Sequence, residues 1–180
     1  MPSASTVAAL SIWLPASPSV AQEAPAVVDR IVAVVGERLV LASDVELEQA
    51  LSLVERSSVG ALMNASADPL QVVIDRAIIR GLAGNAAIYI PSEDDIFTRA
   101  NQLRTSFADA DAWAAFRRRH GLEGDRLTSL LYSRLVVDRY ILRNVQQGAT
   151  AETYVAWMSP QRARVTIRLV PPIADRQAAP

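Results

Sequence analysis

The sequence has no cysteine and only one histidine, His120. That excludes disulfides, thiolate nucleophiles, Cys-based metal sites and any multi-histidine site. Lysine is absent too, every basic residue being arginine, so no lysine is present for Schiff-base chemistry. Charge of one sign is also missing: the formal net charge is -1, which gives no field to recruit a phosphate backbone or an anionic membrane surface. Nucleic acid is therefore not an expected partner. There is no long hydrophobic run, and the N-terminal apolar stretch Val7–Leu14 is too short and too closely followed by Pro15 and Pro18 to span a bilayer. With most common catalytic constellations removed, no catalytic residue, metal or cofactor is expected, and a binding module is a better expectation than an enzyme.

What is present is a chain of 180 residues, 51% hydrophobic and 21% charged, enough for one domain with a substantial core. Residues 1–21 read as an export signal: the Val7–Leu14 stretch is followed by Ser19-Val20-Ala21, small residues at the -3 and -1 positions of a cleavage site, although no Arg or Lys precedes the stretch. An exported location follows from that reading. Residues 22–27 are then a linker, 28–170 the folded domain, and 171–180, opening on Pro171-Pro172, a disordered tail.

The domain opens with β-branched Val28–Val35, a Gly36-Glu37 turn and Arg38–Leu41, the pattern of a hairpin. Ser43 and Glu46 form a capping-box pattern for a helix over about Asp44–Arg56, and Ser57–Ala67, with its Ser, Gly and Asn, is expected as a loop. Asp68-Pro69 starts a second helix, in which Leu70, Val73, Ile74, Ala77 and Ile78 recur at helical spacing while Asp75, Arg76 and Arg80 are its polar side. Ser92 caps a third helix reaching about Phe107, and a fourth covers Asp109–His120 before Gly121. The fifth begins at Asp125 and carries Leu127, Leu130, Leu131, Leu135, Val137, Ile141 and Val145, a face broad enough for the centre of a bundle. Thr150–Trp157 is a short sixth helix before Pro160, and in Arg164–Leu169 the residues Val165, Ile167 and Leu169 alternate with polar ones as in a strand with one buried face. The expected fold class is mainly α: a helical bundle with a small β-sheet made of the N-terminal hairpin and the C-terminal strand.

These residues resemble the core of SurA-type periplasmic chaperones. Val28-Asp29-Arg30-Ile31-Val32-Ala33-Val34-Val35, followed by Val40-Leu41-Ala42-Ser43-Asp44-Val45, is similar to the hairpin and first helix of that family. Val73–Ile79 and Ala86–Ile96, with the restart Ser92-Glu93-Asp94-Asp95-Ile96, are similar to its long helix, short turn and next helix. The resemblance covers about Val28 to Val145, and Tyr154, Trp157 and Arg164–Leu169 resemble the helix and strand that return to the N-terminal domain in that family. The family's parvulin isomerase domains are missing, since nothing between Asn144 and Thr150 leaves room for one. The resemblance thus implies the holding of unfolded outer-membrane or secreted proteins in an apolar cradle, without isomerase catalysis.

Leu62, Met63, Leu103, Phe107 and Trp113 are the candidates for exposed apolar contacts with a client. Two other roles remain open: a substrate-binding subunit for a separately encoded parvulin-type isomerase, and a dedicated assembly partner of one envelope protein through a sheet edge. Arg117–His120 reads as cations favoured at a helix C-terminus, and Asp94-Asp95 as acids favoured at a helix start, rather than as ligand or metal sites. The Asn64-Ala65-Ser66 sequon is a short chance pattern.

Overall fold

Gly36 takes a φ of 60°, a left-handed conformation open to glycine at little cost, and so lets the chain reverse between two strands. These are β1 (Ile31–Val35) and β2 (Arg38–Leu41), paired antiparallel with Val34 opposite Leu39 and Val35 opposite Arg38. The computed structural model describes residues 29–64, 68–145 and 150–171. The expected signal, the linker and residues 172–180 of the expected tail lie outside the described residues. A third strand, β3 (Ile167–Leu169), pairs antiparallel with the free side of β1 and gives the sheet order β2-β1-β3. The Gly36 N–H donates to the Thr166 carbonyl at 2.8 Å and the Val170 N–H to the Val32 carbonyl at 2.9 Å, extending the pairing beyond both ends of β3. The fold is mainly α with this one small sheet, as the sequence predicts.

The helices are α1 (Ala42–Val54), α2 (Ser58–Asn64), α3 (Pro69–Ala83), α4 (Glu93–Arg104), α5 (Ala110–Arg119), α6 (Asp125–Asn144) and α7 (Ala151–Ala163), with a 3-10 turn over Ala87–Tyr89. Asp68 and Ser92 cap their helices as expected, and Asp109, expected as the first residue of a helix, is a cap too, each accepting a backbone N–H from three residues on. At α1 the expected capping box is displaced. The helix starts two residues early, Asp44 accepts the Leu41 N–H at 2.9 Å, and Ser43 instead bonds the Asp29 carboxylate, tying the entry of β1 to the start of the helix.

Two segments differ more. The expected loop at Ser57–Ala67 contains α2, because Ser57 caps it through the Gly60 N–H at 2.8 Å and Val59 and Met63, four apart, both reach the core. The expected short helix ending at Trp157 runs on through Pro160 to Ala163. The missing proline N–H would normally stop it. Here Arg162, beyond the proline, donates to both oxygens of the buried Asp75 at 2.7 and 2.6 Å, and the Tyr154 hydroxyl reaches the same carboxylate at 3.2 Å. Asp75, read from the sequence as part of a polar face, is therefore the buried anchor that docks α7 on α3.

The core has two parts. The larger lies between the sheet, α2, α3, α6 and α7, and includes Ala33, Val35, Val40, Ile74, Ile78, Ile79, Val137, Ile141, Tyr154 and Met158. The smaller joins α1, α4, α5 and α6 through Leu51, Leu103, Trp113 and Leu131. Helix α6 runs through both, as its broad apolar face predicts, while Leu169, expected to be buried on the strand, is exposed at the sheet edge and Ile167 is half-buried.

Candidate functional site

On α6 the stripe that carries Leu127, Leu131, Ile141 and Val145 also carries Arg134 and Asp138, and both are buried. Buried charges are costly unless paired. They are paired here in a ring of alternating sign. Arg134 donates to Glu48 at 2.6 Å and to Glu55, Glu55 accepts from Arg99 at 2.9 Å, Arg99 donates to Asp138 at 2.7 Å, and Glu48 accepts from the Arg76 Nε at 3.2 Å. One link is long: the Arg76 guanidinium stands 3.8 Å from Asp138 without a hydrogen bond. Three arginines and three carboxylates thus cancel while joining α1, its C-cap Glu55, α3, α4 and α6.

The environment treats the carboxylates unequally. Burial works against ionisation of Glu48, but the Arg76 and Arg134 guanidinium groups outweigh it and hold the carboxyl below its ordinary value. At Asp138 burial wins over Arg76 and Arg99 and pushes the carboxyl upward. Burial likewise opposes the charge on Arg134, and the flanking Glu48 and Glu55 more than restore it.

Two clefts flank the ring, and Arg134 lines both. The first, of about 390 Å³, is bounded by β2, α1, α3 and α6, with Val40, Leu47, Val73 and Val137 on its walls among Arg38, Arg76 and Arg80. The second, of about 540 Å³, opens between the C-terminal ends of α1 and α4. Leu51, Val54, Leu103 and Leu131 give it an apolar base, and Ser57, Ser58, Gln102, Thr105 and Ser106 give it a polar rim. Both volumes fall in the range of pockets that hold small ligands or a few side chains.

The five residues expected to contact clients do not form one surface. Met63 is 1% exposed and Leu62 packs beside it on the larger core, while Leu103 at 5% and Trp113 at 8% belong to the smaller one, with Phe107 half-buried against them. Met63, Leu103 and Trp113 are thus buried packing residues rather than exposed contacts. The reason for the aromatics is local: Phe107, Trp113 and Phe116 pack on one another with ring centroids 4.9 to 6.0 Å apart, closing the α4–α5 turn. Leu103 alone of the five lines a cleft, the second. Arg117 sits over the Trp113 ring at 5.5 Å and Asp95 pairs with Arg139 at 2.6 Å as well as capping α4, so both have structural roles.

The ring went unread in the sequence although it left a signal. Arg134 and Asp138 occupy two successive positions of an otherwise apolar stripe, and Glu48 falls between Val45 and Leu51 at the same helical spacing. Searches against protein-family models and against curated proteins return no match to this chain.

Proposed function

We propose that this protein is a SurA-like holding chaperone of the cell envelope, one that keeps unfolded outer-membrane or secreted proteins from aggregating and has no isomerase activity. The observation that carries this reading is the closure of the domain by its own C-terminal end. Strand β3 pairs with β1, and α7 is locked to α3 through Asp75, so the helix and strand that follow residue 150 return to the N-terminal hairpin. That is the arrangement the resemblance implies for the chaperone core, with α6 joined almost directly to the returning unit. The export implied by Val7–Ala21 belongs to the same proposal.

The second cleft is where this reading puts a client. Its apolar base takes a side chain, and its hydroxyl and amide rim offers hydrogen bonds to an extended backbone. Burying one large apolar side chain is worth about 1.5–3 kcal/mol before ordering costs, so two or three such contacts give reversible binding in the micromolar range. The test is light scattering from a urea-unfolded outer-membrane β-barrel protein diluted into buffer with this chain, without nucleotide or metal. A several-fold excess should delay aggregation, and a time course equal to that with an inert protein would remove the reading.

A dedicated partner that adds a strand is the second reading, favoured by the two edge strands. Leu39 on β2 is 57% exposed and Leu169 on β3 is 64% exposed, apolar side chains at open edges of the kind a pairing strand covers.

A further inference from the structure

The two edges of the sheet are not equally open. The Gly36 N–H donates to the Thr166 carbonyl and the Val32 carbonyl accepts the Val170 N–H, so Val32, Val34 and Gly36 turn their backbone groups towards β3. Alternation in an antiparallel pair then turns Ala33 and Val35 towards β2. It follows that Ile167 and Leu169, which lie opposite Val35 and Ala33, direct both N–H and C=O away from the sheet. On the other side Arg38 and Val40 face β1, which leaves Leu39 as the single open position of β2. The next N–H, that of Leu41, is taken by the Asp44 carboxylate at 2.9 Å where α1 begins. The edge of β3 therefore presents two successive open residues to an added strand, whereas that of β2 is cut short by an acid.

The side chains of this segment decide what kind of strand fits. Arg164, Thr166 and Arg168 are exposed on one face, while Val165 and Ile167 pack on the core from the other and Leu169 continues that apolar row into solvent. No ion pair joins Arg164 or Arg168 to a carboxylate among the described residues. Pairing with a second copy, antiparallel about a two-fold axis, would bring four guanidinium groups onto one face, and like charges across strands are destabilising. Pro171, without an N–H, ends the row just beyond Leu169. Charge and proline together guard an edge against its own kind. They do not guard it against an acidic strand, which gains cross-strand pairs with the same arginines. We propose that the outer edge of β3 binds an extended segment in which acidic and apolar residues alternate, the acids beside Arg164 and Arg168 and the apolar side chains beside Ile167 and Leu169. This rests on the second reading above, a partner that adds a strand, and narrows it to one edge and one partner chemistry.

The test uses the whole chain and three fluorescently labelled peptides with blocked ends, in which valine alternates with glutamate, glutamine or arginine. Fluorescence anisotropy should give the glutamate peptide an affinity at least about tenfold above the glutamine one and the arginine peptide the weakest, with the advantage falling as salt is raised. The advantage should be lost in the double variant Arg164→Gln, Arg168→Gln, whose two sites are exposed and keep the test independent of folding. Residue-resolved amide exchange should slow by at least about tenfold at Ile167 and Leu169 when the glutamate peptide saturates the chain, and stay unchanged at Leu39. Slowing at Leu39 instead overturns the choice of edge and leaves the strand-adding reading standing, whereas no binding of any of the three peptides removes both. Equal binding of the glutamate and glutamine peptides, or an unchanged preference in the double variant, overturns the acidic partner. Protection of Ile167 and Leu169 before any peptide is added overturns the proposal as well: if it grows with protein concentration the occupant is a second copy, and if it does not the chain's own residues cover the edge.

Discussion

Replacing Arg134 with Met tests the ring at its most buried cation. The two side chains have similar length, so the change removes charge and donors with little change of volume, and the site is 5% exposed. Glu48 and Glu55 each keep one arginine, Arg76 and Arg99, but the ring then holds one uncompensated negative charge in a place water barely reaches. Breaking a buried ion pair by removing one partner costs about 3–5 kcal/mol, a large share of the roughly 5–15 kcal/mol by which domains are stable. With a urea slope of about 2 kcal/mol/M, a loss of about 4 kcal/mol lowers the unfolding midpoint by about 2 M at unchanged slope. Equilibrium urea unfolding followed by far-UV circular dichroism measures it. A midpoint within about 0.3 M of the parent would mean that water or rearranged carboxylates already neutralise the site, and the ring would not be the clamp described.

Within the same ring, Glu48→Gln should destabilise more than Asp138→Asn, because the fold favours the ionised form of Glu48 and the protonated form of Asp138; equal losses in urea would contradict this. Glu48 has its folded pKa below its unfolded one, so its contribution is full above the ordinary carboxylate value and is lost as pH falls through the folded value, a slope that a thermal series in acid should show reduced in Glu48→Gln. Asp75→Ala should cost about 2–3 kcal/mol and free α7, and Tyr154→Phe about 1 kcal/mol, since the first strands Arg162 and the second removes one hydrogen bond at 3.2 Å; hydrogen exchange in α7 distinguishes local from global loss. Ile167→Asp should cost about 1–3 kcal/mol in thermal unfolding, its site opposite Val35 being half-buried. Conversion of a proline test peptide should run at the uncatalysed rate, over tens of seconds, with or without the protein.

The hairpin, five of the helices and the existence of the C-terminal strand were legible because each rests on a local rule, whereas the return of that strand to the hairpin was expected from the resemblance. Gly36 at a turn, Asp68 and Ser92 as caps, and Val165 and Ile167 in alternation act within a few residues of themselves. The failures come from contacts distant in sequence. Helix α7 continues past Pro160 because Arg162 has a partner 87 residues away in Asp75, and no window around Pro160 contains that fact. Composition suggested a loop where α2 forms, yet Val59 and Met63 needed only a core to pack on. Met63 and Trp113, expected as exposed contacts, are core residues for the converse reason. Aromatic and aliphatic side chains near a turn serve a groove or a core equally well in sequence, and the turn between α4 and α5 closes on itself.

The ring also shapes how the clefts are arranged. Arg134 forms part of the wall of each, and its bonds to Glu48 and Glu55 hold the middle and the C-terminal end of α1 against α6. An apolar seam here would be as stable or more so, since well-packed hydrophobic residues commonly replace buried ion pairs without loss. What an apolar seam would not do is hold Arg134 by two carboxylates in the wall between the clefts, with Arg76 and Arg99 paired to the same carboxylates on either side. Charge pairing with fixed geometry thus stands between two clefts that both carry arginine and apolar side chains. Substitutions that repack the seam with aliphatic side chains, keeping stability, should therefore remove the shared Arg134 wall from both clefts without unfolding the domain.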